Sequence, residues 1–178
     1  MPLFTQASDY DAVVVADVRG DFGEYVPFNT WLPRPVVGTQ GMSPVTWHRV
    51  VESWGAAQLQ NRFRGLAGRD MNSEDYAAWA AIRSVGTSVT DLNSASPTDI
   101  RAFLFSDKFQ LAAFKGRKLT FRSWNGQLRQ PNPLIHPSGL VARAPSEGFL
   151  HPHTDIDTLS LDRPESACRM QGSTLWPP

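Results

Sequence analysis

The sequence predicts an α/β fold, and three observations point there. A β-branched run, "YDAVVVAD" (Tyr10 to Asp17), is followed by a loop rich in Gly, Pro and aromatics and then by a second apolar run, "VVGTQGM" (Val36 to Met42). Between Trp54 and about Asp107 the apolar residues recur at helical spacing. After Phe109 the pattern returns to alternation, as in "RKLTFRSW" around Leu119 and Phe121. Strand, loop, strand, helical layer and more strands is the grammar of an open α/β sheet.

Each element has a local reason. "YDAVVVAD" is apolar without alternation, which suits a buried strand of a parallel sheet. "VRGDFGEYVPFNTWLPRP" cannot hold a long regular element. In "WGAAQLQNRFRGLAG", Trp54, Ala57, Leu59, Phe63 and Leu66 fall near helical spacing, and Gly68 is a stop signal. Asn72 or Ser73 caps the next helix, with Glu74 and Asp75 in its positive first turn. Its pattern groups Trp79, Ile82 and Gly86, with Ala78, Val85 and Val89 beside them. "SPTDIRAFLFSD" restarts with a Ser cap, Pro at the first helical position and an acidic first turn. "NGQ" turns the chain after Trp124, and "RQPNPLIH" and "GLVARAP" read as edge strands because their prolines lack a ladder donor. From Gly148 onward periodicity fades. The expected organisation is therefore 1–53, 54–110, 111–147 and an irregular tail, 148–178.

Bulk properties exclude several classes. The 178 residues fit one domain. Seventeen basic and seventeen acidic side chains cancel, with no basic block of the kind that binds nucleic acid. No apolar run approaches the ~20 residues that span a bilayer, and the start lacks the pattern of a secretory signal. A single cysteine, Cys168, forms no internal disulfide.

The order of elements resembles the C-terminal part of type 1 periplasmic binding proteins, the branched-chain amino-acid receptor-like solute receptors of ABC transporters. The stretches that carry the likeness are "YDAVVVAD", "PVVGTQGM", "LQNRFRGLAGRDMNSEDYAAWAAIRSVG" and "DIRAFLFSDKFQLAAFKGRKLTFRSWNGQLRQP". "VADVRGDFGEYVPFNTWLPRPVVGTQGMSPVTWHR", "FKGRKLTFRSWNGQLRQP" and "DTLSLDRPESACR" are similar to the subgroup associated with pyrroloquinoline quinone-dependent alcohol oxidation. The likeness covers Tyr10 to Arg169 and lies in length and order rather than in a catalytic signature.

The resemblance implies a partial type 1 periplasmic-binding-protein fold. Residues 1–53 would belong to the second α/β lobe, 54–110 would pack on the first lobe, and 111–147 would form the hinge and a second-lobe β meander. The first lobe's sheet and a signal peptide would lie outside this chain, making it a fragment of a periplasmic protein. It further implies a non-enzymatic role without a cofactor: capture of a small molecule, such as pyrroloquinoline quinone or a related metabolite, in an interlobe cleft, and delivery to a membrane permease of an ABC importer.

In open α/β sheets ligands sit beyond the carboxyl ends of strands. That position selects Arg19, Trp31 and Arg34 in the loop after the first strand, and Gln40 and Trp47 near the second. Aromatic faces and guanidinium forks suit a planar anionic quinone; the plainer role for these aromatics is packing of the loop. The alternative chemistry is "HPHTDID", where His151, His153 and Asp155 would share a metal in a metal-dependent hydrolase. Pro152 interrupts that strand, and no distant ligand completes the set. Cys168 lacks the surroundings of a nucleophile, and neither a Gly-x-Ser-x-Gly elbow nor a Gly-rich phosphate loop occurs.

Overall fold

The computed structural model describes residues 3–6, 9–39, 42–136, 139–157 and 165–168. Within them the fold is mixed α/β, with three α-helices, a short 3-10 helix and small sheets. Strands β1 (Val13–Val15) and β2 (Val36–Gly38) pair in parallel as a two-stranded sheet, but Val14 is 77% exposed and only Val15 of β1 is buried, so β1 is not the buried strand its apolar run suggests. The 3-10 helix Gly23–Phe28 lies in the loop that joins them.

Strand β3 (Ser43–Pro44) leads to helix α1 (Ala56–Ala67), which ends on Gly68 at φ 68°. Helix α2 (Ser73–Leu92) starts with the expected cap: Asn72 Oδ1 accepts from the Asp75 N–H, and Asp75 accepts from the Asn72 N–H. This reciprocal capping box satisfies two otherwise orphaned donors. Helix α3 (Pro97–Leu104) begins at Ser96, whose hydroxyl accepts from the Asp99 N–H, and it packs on α2.

Strands β4 (Leu111–Ala112), β5 (Lys118–Phe121) and β6 (Leu128–Arg129) form an antiparallel meander. Strands β7 (Asn132–His136) and β8 (Gly139–Ala144) form a hairpin whose other edge is β3, in the order β3-β7-β8. β7 is thus central rather than the edge strand its prolines suggest. Pro133 is tolerated because its carbonyl, which accepts from the Val45 N–H, faces the β3 side. Its donorless nitrogen faces the same side, where β3 pairs only with Leu134 and Ile135.

The core forms where the helices meet the meander. Trp47, Leu59, Met71, Tyr76, Phe109, Leu111 and Leu119 are buried together. Trp47 lies parallel to Tyr76 at 4.8 Å between centroids, and Phe109 meets Phe103 edge-on at 5.8 Å. Such pairs add about 0.5–1.5 kcal/mol beyond area burial. The helical layer, expected to find little sheet of its own, therefore covers one face on β4–β6.

On the other face large apolar side chains are exposed among the described residues. α2 buries Tyr76, Ala80, Ser84 and Ser88, and leaves Ile82 76% exposed and Val85 45% exposed. Of the grouping read from the sequence, Ile82 and Val85 thus face solvent, whereas Trp79 packs against the core. The buried serines are satisfied within the helix: Ser84 Oγ donates to the Ala80 carbonyl and Ser88 Oγ to the Ser84 carbonyl. On α1, Leu59 is inside but Leu66 is exposed, and Trp54 before the helix is exposed too. No helix among the described residues is long and apolar enough to cross a membrane.

Candidate functional site

The loop between β1 and β2 is built on Asp17, two residues past the end of β1. Its buried carboxylate accepts from the N–H groups of Asp21, Phe22 and Gly23 at 3.1, 3.0 and 2.6 Å. These bonds, that of Phe22 foremost, hold the carboxyl below its ordinary pKa against the opposing effect of burial. The Asp17 N–H donates to Thr39 Oγ1 at 2.8 Å, tying the loop's start to the end of β2. Further along, the Trp31 N–H donates to Thr5 Oγ1 and the Leu32 N–H to the Tyr10 hydroxyl. His136 of β7 approaches Glu24 at 3.9 Å.

So fixed, the loop presents its large side chains outward. Tyr25 is 58% exposed, Phe28 83% and Trp31 50%. Arg19 is exposed in the turn beside Asp17. Arg34 donates to Asp9 at 3.1 Å with both side chains in solvent, an ion pair worth little and easily exchanged for another carboxylate. Three of the residues selected from the sequence thus occupy one solvent-facing loop.

Trp47 does not join them. It is 2% exposed, stacks on Tyr76, and donates Nε1–H to Gln60 Oε1 at 3.0 Å. Its ring serves the core, so the assignment to ligand stacking is replaced by packing. Gln40 lies outside the described residues.

Two donor atoms of the metal alternative are engaged elsewhere. His151 Nδ1 accepts from the His153 N–H at 3.2 Å, and the Asp155 carboxylate pairs with Arg117. Among the described residues no three His, Cys, Asp or Glu side chains are grouped to hold a metal ion.

Two polar features were not read from the sequence. Lys115 is buried, with Nζ donating to the carbonyls of Thr46 and Pro131, so that one side chain joins three segments. Burial chiefly, with the Arg143 charge second, lowers its pKa to about 7. Asp157 accepts from Arg122 Nε at 2.8 Å and Arg129 Nε at 3.3 Å, anchoring the chain beyond β8 to the β5–β6 hairpin. "FKGRK" gives a faint signal for the first, since a lysine between apolar Phe114 and a turn glycine can point inward. The second pairs residues 35 apart, which no local pattern encodes.

Comparison with family models, with curated proteins and with solved structures finds no match to this chain.

Proposed function

We propose that the chain is part of a two-lobed solute receptor of an ABC-type importer, non-enzymatic and periplasmic in its full-length form. It would hold a small anionic ligand, pyrroloquinoline quinone or a related metabolite, at the loop between β1 and β2. The observation that carries this reading is the loop itself. It leaves the carboxyl end of a parallel strand, where ligands of open sheets sit. Asp17 fixes its backbone, yet Tyr25, Phe28 and Trp31 stand in solvent with Arg19 and Arg34 beside them. A preorganised backbone under exposed aromatics and guanidinium groups favours a planar anion.

The outward apolar face of α1 and α2 supports the two-lobed part of the proposal. Trp54, just before α1, and Ile82 of α2 are 89% and 76% exposed, and a first-lobe sheet would cover them. Ligand binding would then favour closure of the lobes.

Calorimetric titration of pyrroloquinoline quinone tests the proposal, using this chain and a form extended by in-frame upstream sequence. The expected result is binding by the extended form that weakens in Arg19→Ala, Trp31→Ala and Arg34→Ala. Binding indifferent to all three changes would remove the loop from the site, and binding by neither form would remove the quinone.

A further inference from the structure

We propose a second ligand site, distinct from the β1–β2 loop, in the pocket between α1 and α2, and we infer that it takes a small aromatic carboxylate. The pocket has a volume of about 290 Å³. That is near the lower end of the roughly 300–1,000 Å³ found for small-molecule sites, which suits a ligand of one or two rings. Its apolar part is made by Phe63, Met71, Trp79 and Phe114, and its charged part by Arg62 of α1 and Arg83 of α2. Among the described residues no carboxylate lines it.

Charge complementarity decides the ligand class. Arg34, Arg64, Arg69, Arg117, Arg122 and Arg129 each meet an aspartate. Arg62 and Arg83 meet none among the described residues, although both border one apolar pocket. An arginine fork recognises a carboxylate through paired charge-assisted hydrogen bonds, and the Trp79 and Phe114 rings, 5.7 Å apart, offer aromatic surface beside it. A neutral aromatic would leave the guanidinium groups unused, and an inorganic anion would leave the rings unused.

The backbone is shaped for this pocket. Phe114 adopts φ 56°, a left-handed conformation that is costly for a bulky side chain. Gly55, at φ 78°, makes room for the ring, since a Cβ there would lie 2.5 Å from Phe114 Cδ1. The two residues together set the Phe114 ring into the lining. The Arg69 guanidinium, 5.2 Å from the Phe63 ring, adds positive potential at the side while remaining paired with Asp75.

The test uses indole-3-acetate as the probe and indole-3-acetamide as its uncharged counterpart, each titrated into the intact chain by calorimetry. The expected result is that the acid binds at least about tenfold more tightly than the amide, and that Arg62→Ala and Arg83→Ala each weaken the acid about tenfold. Both arginines are exposed, so these variants keep the fold, which circular dichroism and the melting temperature verify. Arg19→Ala and Trp31→Ala, in the β1–β2 loop, should leave acid binding unchanged, so failure here and failure of the receptor proposal are separable. Equal binding of acid and amide, absence of binding at millimolar acid, or loss caused by Arg19→Ala instead would each overturn the site.

Discussion

Lys115 Nζ lies 4.8 Å from the centroid of the Tyr76 ring, the ring on which Trp47 also stacks. An amine, a phenol ring and an indole thus share one buried cluster. Burial pushes the Tyr76 hydroxyl's pKa up while its O–H donates to the Ala113 carbonyl at 2.8 Å.

The lysine predicts a pH dependence. Its pKa falls from an ordinary 10.5 to about 7 on folding, so between those values the unfolded chain holds a proton that the folded chain has released. Stability therefore rises with pH across that window, and it is lowest, as far as this group is concerned, below about pH 7. Melting temperatures measured from pH 7 to about 9.5 should climb in the native chain and flatten in Lys115→Met. An equal slope in both proteins would assign the titration to another group.

Breaking the Arg122–Asp157 pair should be costly, because the two side chains are only 7% and 10% exposed. Asp157→Leu removes the carboxylate facing a buried guanidinium, a change that costs about 3–5 kcal/mol. Replacing both partners, as Arg122→Met with Asp157→Leu, should cost clearly less than the sum of the single changes. Urea denaturation of the four proteins measures the coupling, and strict additivity would show that the pair does not act as a unit.

Gly38 is expected to be irreplaceable. It sits at φ 131°, and a Cβ would fall 2.0 Å from the Val15 carbonyl oxygen on the neighbouring strand. Gly38→Ala should destabilise by about 2 kcal/mol or more, combining strain with separation of β1 from β2. Amide exchange would show the loss as faster exchange at Val13 and Thr39, whose N–H groups bond across this pair. Unchanged exchange would mean that the two strands do not rely on this contact.

The outward face of the helices predicts self-association of this chain. Leu66→Glu combined with Ile82→Glu should shift sedimentation toward the monomer while changing stability by no more than about 0.5 kcal/mol for each site. A wild-type chain that stays monomeric at high concentration, with a cooperative and high melting transition, would refute the expectation.

Much of the secondary structure was legible because its signals are local. Asn72, Ser96 with Pro97, and Gly68 mark helix ends through hydrogen bonds within a few residues, and each stands where its chemistry puts it. Which face of α2 turns inward was not legible. Periodicity groups the apolar residues, but tertiary packing buries Ser84 and Ser88, whose hydroxyls are satisfied by the helix itself. Trp47 shows the same limit at the site: position after a strand makes an aromatic a candidate, and only long-range contacts to Tyr76 and Gln60 assign it to the core. Lys115 and Asp157 lie in segments whose partners are far along the chain, beyond the reach of pattern.

The back-bonded serines of α2 bear on where this helix stands in an assembly. Alanine and serine side chains on the inner side let α2 lie close to α3 and β4, and the hydroxyls ask nothing of these neighbours in return. The outer side, with Ala78, Ala81, Ile82 and Val85, is similarly smooth and short of charge. A helix at the rim of a protein ordinarily meets water with lysine and glutamate. α2 instead carries short, mostly uncharged side chains on both sides, a surface that admits close approach from either one.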